Sequence, residues 1–214
     1  MTDIPTREFS AAVSFPEDAA AASSRTSRRL LDAAVARTIA VLAHDLRNAL
    51  GVVSMQVEAI AVRASSTAAD LSAIQSHATV ASDHIERLAD MTNALIAFAR
   101  GRTSSDLAVI AGEAAALMPM HAVSVTRPSV VAPVSIDSLL ARAAILEVLV
   151  LALSNPAPPS FVVASTLAGS SLDVDGGAPI LVDEAMEWVV QFRSVGGRVI
   201  TTEDGLRLQF PSIA

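Results

Sequence analysis

The sequence predicts an α plus α/β fold: an antiparallel helical hairpin that pairs into a dimeric four-helix bundle, followed by a two-layer α/β sandwich. Three observations carry this. Between residues 29 and 102, apolar side chains recur at three- and four-residue steps over two long segments. From residue 103 to 214 the texture changes, and short alternating runs interleave with helical ones. The chain is 52% hydrophobic and 17% charged, a balance that describes a protein with a buried core rather than a disordered one.

Residues 1–28 are rich in Ala, Ser and Thr and lack a sustained period, so they read as a mobile leader, turning helical from about Ser27. The first stripe comprises Ile39, Leu42, Leu46, Leu50, Val53, Val57 and Ile60. "RASSTAAD" (63–70) breaks it, with Ser66 or Thr67 as caps for the next helix. The second stripe runs Leu71, Ile74, Ala78, Ala81, Ile85, Leu88, Thr92, Leu95 and Ala99, and stops at Gly101, a residue suited to a helix C-terminus. A hairpin alone cannot cover both stripes. Pairing two hairpins in a homodimer does so, and small residues at Ala78, Ala81 and Ala99 permit close approach. The alternative is that the stripes pack against the rest of the same chain.

In the second half, residues 105–118, 136–155 and 182–195 read as helices. Residues 121–128 alternate like a strand, and 160–167 with 170–175 suggest a strand pair. Residues 198–210 read as a hairpin turning at Asp204-Gly205 within an antiparallel sheet, and "DGGAP" (175–179) reads as another hairpin turn.

Composition excludes several functions. A net charge of −7, with no basic run bearing interleaved aromatics, disfavours nucleic acid as a partner. The apolar run 139–153 is too short for a membrane span and is interrupted by Arg142 and Glu147. No signal-peptide pattern opens the chain, and no cysteine is present, which fits the cytoplasm and removes disulfides and thiolate metal sites.

The chemistry concentrates in "AHDLRNAL" (43–50). At about 100° per residue, His44 lies roughly 200° from Leu42, on the face opposite the apolar stripe. His44, Arg47, Asn48, Gly51 and Met55 share that outward strip. A neutral imidazole is a good nucleophile near neutral pH. Asp45 can accept a proton or bias the tautomer, Asn48 can orient a phosphoryl oxygen or a water, and Arg47 can offset phosphate charge. Adjacent side chains on a helix do not face one another, so Asp45 has to reach around. Gly51 lowers helix stability by about 1 kcal/mol relative to alanine, which is understandable where a partner approaches the backbone. His77, His84 and His121 have no comparable neighbourhood and read as surface or packing residues; no side-chain cluster makes a metal site.

This motif resembles the H-box of bacterial sensor histidine kinases. "HIERLADMTNALIAFARGR" (84–102) is similar to the second helix of their dimerisation and histidine-phosphotransfer domain. The resemblance implies His44 as phosphoacceptor, Asp45 as its acid–base neighbour and Asn48 as the residue that places a hydrolytic water. Residues 103–214 resemble that family's ATPase domain in outline only. Aligning Ala152 with the family's alanine puts Glu147 and Leu151 where it has two asparagines, and leucine cannot ligate a hard cation. The adenine-contacting motif survives only as "DVDGGAP" (173–179), with no glycine-rich phosphate loop after it. The expectation is therefore a kinase-derived, dimeric histidine phosphotransferase with no cofactor of its own and no ATP binding. It would pass phosphoryl groups between receiver-domain aspartates of response regulators, or of a hybrid sensor kinase, with Mg²⁺ supplied by the receiver. Docking is expected on Arg47, Gly51, Val52 and Met55, joined by Val80 and Asp83 of the second helix. Two other classes remain open: a non-catalytic pseudo-kinase module that inhibits or sequesters a kinase or response regulator, and a response-regulator phosphatase using Asp45 and Asn48.

Overall fold

A computed structural model describes residues 16–65, 70–100, 104–119, 121–155, 157–166 and 169–212. The first helix, α1, runs unbroken over Pro16–Ala64. The leader expected through residue 28 is thus helical from Pro16 onward; the Ala-rich stretch has high helix propensity, and proline is well accommodated in a helix's first turn. Residues 1–15 lie outside the described ones, as do Ser66, Thr67 and Gly101. The second helix, α2, spans Leu71–Ala99. Its N-cap is Asp70, whose carboxylate accepts from the backbone N–H of Ser72 and Ala73, and its C-cap is Arg100. His77 bonds Gln56, and His84 faces the Asp45–Val52 segment, so the two helices run antiparallel.

The second half builds a sheet of β1 (Ser124–Thr126), β2 (Ser160–Thr166), β3 (Gly169–Asp175), β4 (Arg198–Thr201) and β5 (Gly205–Gln209) in the order β1-β2-β3-β5-β4. The register aligns Val163, Leu172 and Leu208 in one row and Phe161, Val174 and Leu206 in another, all buried on one face. The row Val162, Asp173, Arg207 points the other way, and there Arg207 pairs with Asp173. The helices α3 (Leu107–Ala115), α4 (Ser138–Ala152) and α5 (Glu187–Ser194) complete the sandwich.

Three expectations are corrected. The sheet is not wholly antiparallel: β1 runs parallel to β2, because α4 carries the chain across between them. "DGGAP" is not a hairpin turn either, since β3 pairs with β5 rather than with the next strand. It is a loop entry held by Asn155 Nδ2 donating to Ala178 O (3.3 Å) and Gly176 N donating to Asp204 O (3.0 Å). The β4–β5 turn falls at Glu203-Asp204, one residue before the expected Asp204-Gly205, since Thr202 N donates to Gly205 O and Gly205 already opens β5; a Cβ on Gly205 would lie 1.9 Å from Val174 O, so only glycine fits.

α4 is buried on nearly every side because it lies between the sheet and α1. Leu30, Leu31, Ala34 and Leu42 of α1, with Met91 and Phe98 of α2, join the same core as Ile145, Phe161 and Leu208. Arg37 Nε reaches Glu147 Oε1 and Oε2 at 2.8 and 3.0 Å, and Arg29 pairs with Glu187 of α5. The fully buried Arg142 stacks 4.9 Å over the Phe98 ring and lies 2.6 Å from Glu113 Oε2. One core therefore crosses the 102/103 boundary. Part of the first stripe packs against its own chain, whereas Leu50 and Val57 of α1, with Leu71 and Ile85 of α2, stay exposed. No helix among the described residues is long and apolar enough to cross a membrane.

Candidate functional site around His44

His44 sits midway along α1 with its side chain 72% exposed, while Leu42 and Ala49 of the same helix are buried. Helical periodicity does this directly: the residues that anchor α1 are on one face, and the imidazole is on the other. One turn on, Asn48 Nδ2 lies 3.2 Å from His44 Nδ1. Asp45 Oδ1 lies 3.6 Å from that same nitrogen, an ion-pair distance too long for a hydrogen bond. Both neighbours thus lie on the Nδ1 side of a largely exposed ring. Arg47, Gly51 and Met55 are exposed on the same strip. A Cβ built on Gly51 meets nothing within 4 Å, so the chain itself places no steric demand for glycine there.

Asp45 differs from its neighbours. Its side chain is only 15% exposed, because Oδ2 is hydrogen-bonded to His121 Nε2 at 2.8 Å. His121 comes from the turn between α3 and β1, where its own N–H donates to Met118 O (3.0 Å). The next residue, Ala122, has φ = 49°, a left-handed backbone that costs an L-residue about 1 kcal/mol or more. His121 is therefore not the plain surface residue its local sequence suggests.

Beside Asp45 and Asn48 a cleft of about 190 Å³ opens between α1 and α2, lined also by Ala49, Val52 and His84. His84 Nδ1 is buried there without a hydrogen-bond partner among the described residues. Val52 is half-buried, whereas Val80 and Asp83, on the adjoining turn of α2, are exposed. The expected docking residues thus fall on two antiparallel helices next to His44.

No family model matches this chain, and no curated protein does either. The site rests on its own geometry. On α4, Glu147 is taken up by Arg37, and Leu151 lines a cavity of about 260 Å³ together with Leu30, Ala33, Met186 and Trp188. Glu147 and Leu151 of α4 therefore both lie against α1.

The sequence singles out His44, Asp45 and Asn48, which the structure brings together, and reads His121 and His84 as surface or packing residues, which the structure sets against the same segment. His84 was recoverable in principle, because an antiparallel hairpin with Gln56 opposite His77 sets residue 84 opposite residues near 49. His121 stands 76 positions from Asp45, and no local pattern marks that pairing.

Proposed function

We propose that this chain is a histidine phosphotransferase that moves phosphoryl groups between receiver-domain aspartates through His44 without using ATP. The observation that carries the reading is an exposed imidazole midway along a helix, with Asn48 and Asp45 both beside Nδ1, so that Nε2 is the nitrogen we assign to the partner. In the forward step the Nε2 lone pair attacks the phosphorus of the partner's aspartyl phosphate. The N–P bond forms, the acyl P–O bond breaks, and its electron pair stays on the partner's carboxylate. The Nδ1 proton is retained, and Asp45 offsets the imidazolium charge that results; the return step reverses each change. An acyl phosphate is already activated, so placement of the nucleophile is the main demand on the protein.

Two further features support the reading. Glu147 and Leu151 offer no free oxygen donors where a nucleotide's metal would need them, since Glu147 binds Arg37. The exposed row Leu50, Val57, Leu71 and Ile85 suits a second copy, so the functional unit we propose is a homodimeric four-helix bundle.

Incubating the purified chain with a phosphorylated receiver domain tests the proposal. Acid-labile, base-stable label is expected on the chain, and His44→Ala is expected to abolish it while circular dichroism stays unchanged. Tight receiver binding without label points instead to a sequestering module. Label from ATP alone contradicts the nucleotide-free reading.

A further inference from the structure

We propose that His121 is a positioning residue for His44, acting from the C-terminal half of the chain through the carboxylate of Asp45. This rests on the phosphotransferase reading above. The geometry is a three-membered line: His121 Nε2 to Asp45 Oδ2 at 2.8 Å, then Asp45 Oδ1 to His44 Nδ1 at 3.6 Å. Asp45 and His44 are neighbours on a helix, and such neighbours splay apart. A free aspartate there would rotate into solvent. A donor N–H on His121 fixes one carboxylate oxygen and so fixes where the other one points.

The consequence lies in the proton arrangement of His44. Attack through Nε2 needs the proton on Nδ1, and an acceptor beside Nδ1 favours that tautomer. Asn48 can serve either tautomer, because its amide presents N–H or C=O to Nδ1 according to which way it is turned. Asp45 as a carboxylate is an acceptor only. Held by His121, it favours Nδ1–H, turns the Asn48 amide oxygen toward that proton and leaves the Nε2 lone pair available. The other ionisable group on this cleft, His84, approaches from α2 and offers no acidic acceptor to compete.

The loop is shaped for this contact. His121 is 31% exposed, its backbone is pinned to Met118, and the left-handed Ala122 turns the chain directly after it into β1. Backbone strain of this kind persists where the surroundings over-determine it.

The test uses the full chain with His121→Ala and His121→Gln, the latter keeping an N–H near the Nε2 position. Transfer from a phosphorylated receiver is followed in time, and ¹⁵N imidazole resonances report the His44 tautomer in the unphosphorylated protein. For His121→Ala the expected result is a loss of about tenfold in the maximal transfer rate with KM for the receiver unchanged, as when a partner that fixes an imidazole is removed. The Nδ1–H form of His44 should decline in parallel, and His121→Gln should restore most of both. In an Asp45→Asn background, His121→Ala should cost nothing further. A wild-type transfer rate and tautomer in His121→Ala overturn the inference, as does a change in KM alone or a Gln variant no better than Ala. Absence of label on the wild-type chain sinks the phosphotransfer reading instead, and the resonances still decide whether His121 sets the tautomer.

Discussion

Gly51 is exposed on a helix face where an alanine would touch nothing in its own chain. Gly51→Ala should therefore raise stability by about 1 kcal/mol through helix propensity. If a receiver packs against that backbone, the same change should weaken receiver binding, and a thermal melt beside a binding titration separates the two. Asp70 offers a different residue-scale expectation. The Ala73 N–H above all, then the Ser72 hydroxyl, hold its carboxyl below the ordinary value of 3.8. A depressed folded value means that the capping contribution is present at neutral pH and fades as pH falls through that value. Asp70→Ala should accordingly lower the melting temperature at pH 7, and the two melting temperatures should converge once the pH has fallen below the carboxyl's lowered folded value. At this scale His44, Asp45 and Asn48 were legible because helical periodicity alone decides which side of α1 each occupies. His121 was not, since a contact across 76 positions depends on how a loop is carried and leaves no local pattern.

Among the elements, α1 does two jobs along its length. Its upper portion, through Leu30, Leu31, Ala34 and Leu42, is a packing partner for α4, and its lower portion pairs with α2. Leu31 is fully buried at the first of these contacts. Leu31→Ala should destabilise the protein by about 2–5 kcal/mol, read from chemical denaturation. Helices and strands with a strong period were readable: α2 to α5, β2, β4 and β5 fall within the predicted segments, and β3 begins at Gly169, one residue before its segment. Where the structure departs from these expectations, the sources are physical. A three-residue strand such as β1 carries too little pattern to reveal its direction, which α4 determines by crossing over. Residues 16–26 lack an apolar period, and their alanine content rather than their patterning makes them helical.

For the whole molecule, the shared core means that hairpin and sandwich should unfold together. In Leu31→Ala the loss of helical signal and of Trp188 fluorescence should coincide, since Trp188 is buried across the chain from the mutated residue in that same core. The uncovered stripe belongs to this scale too. Sedimentation should report a dimer, and Leu50→Glu with Ile85→Glu should yield a monomer with unchanged circular dichroism. The stripe was visible in the sequence, but its division between an internal partner and an exposed half was not, because periodicity marks a face as apolar without saying what will meet it.

The unbroken course of α1 has one more implication. A rod of 49 residues extends for roughly 74 Å, and the end that grips α4 belongs to the same rigid body as the imidazole near its middle. A receiver docking at His44, as proposed, would therefore arrive at a fixed height and azimuth relative to the sheet. The turn that carries His121 would then lie beside every such partner, so discrimination among partners could evolve there without touching α1 at all.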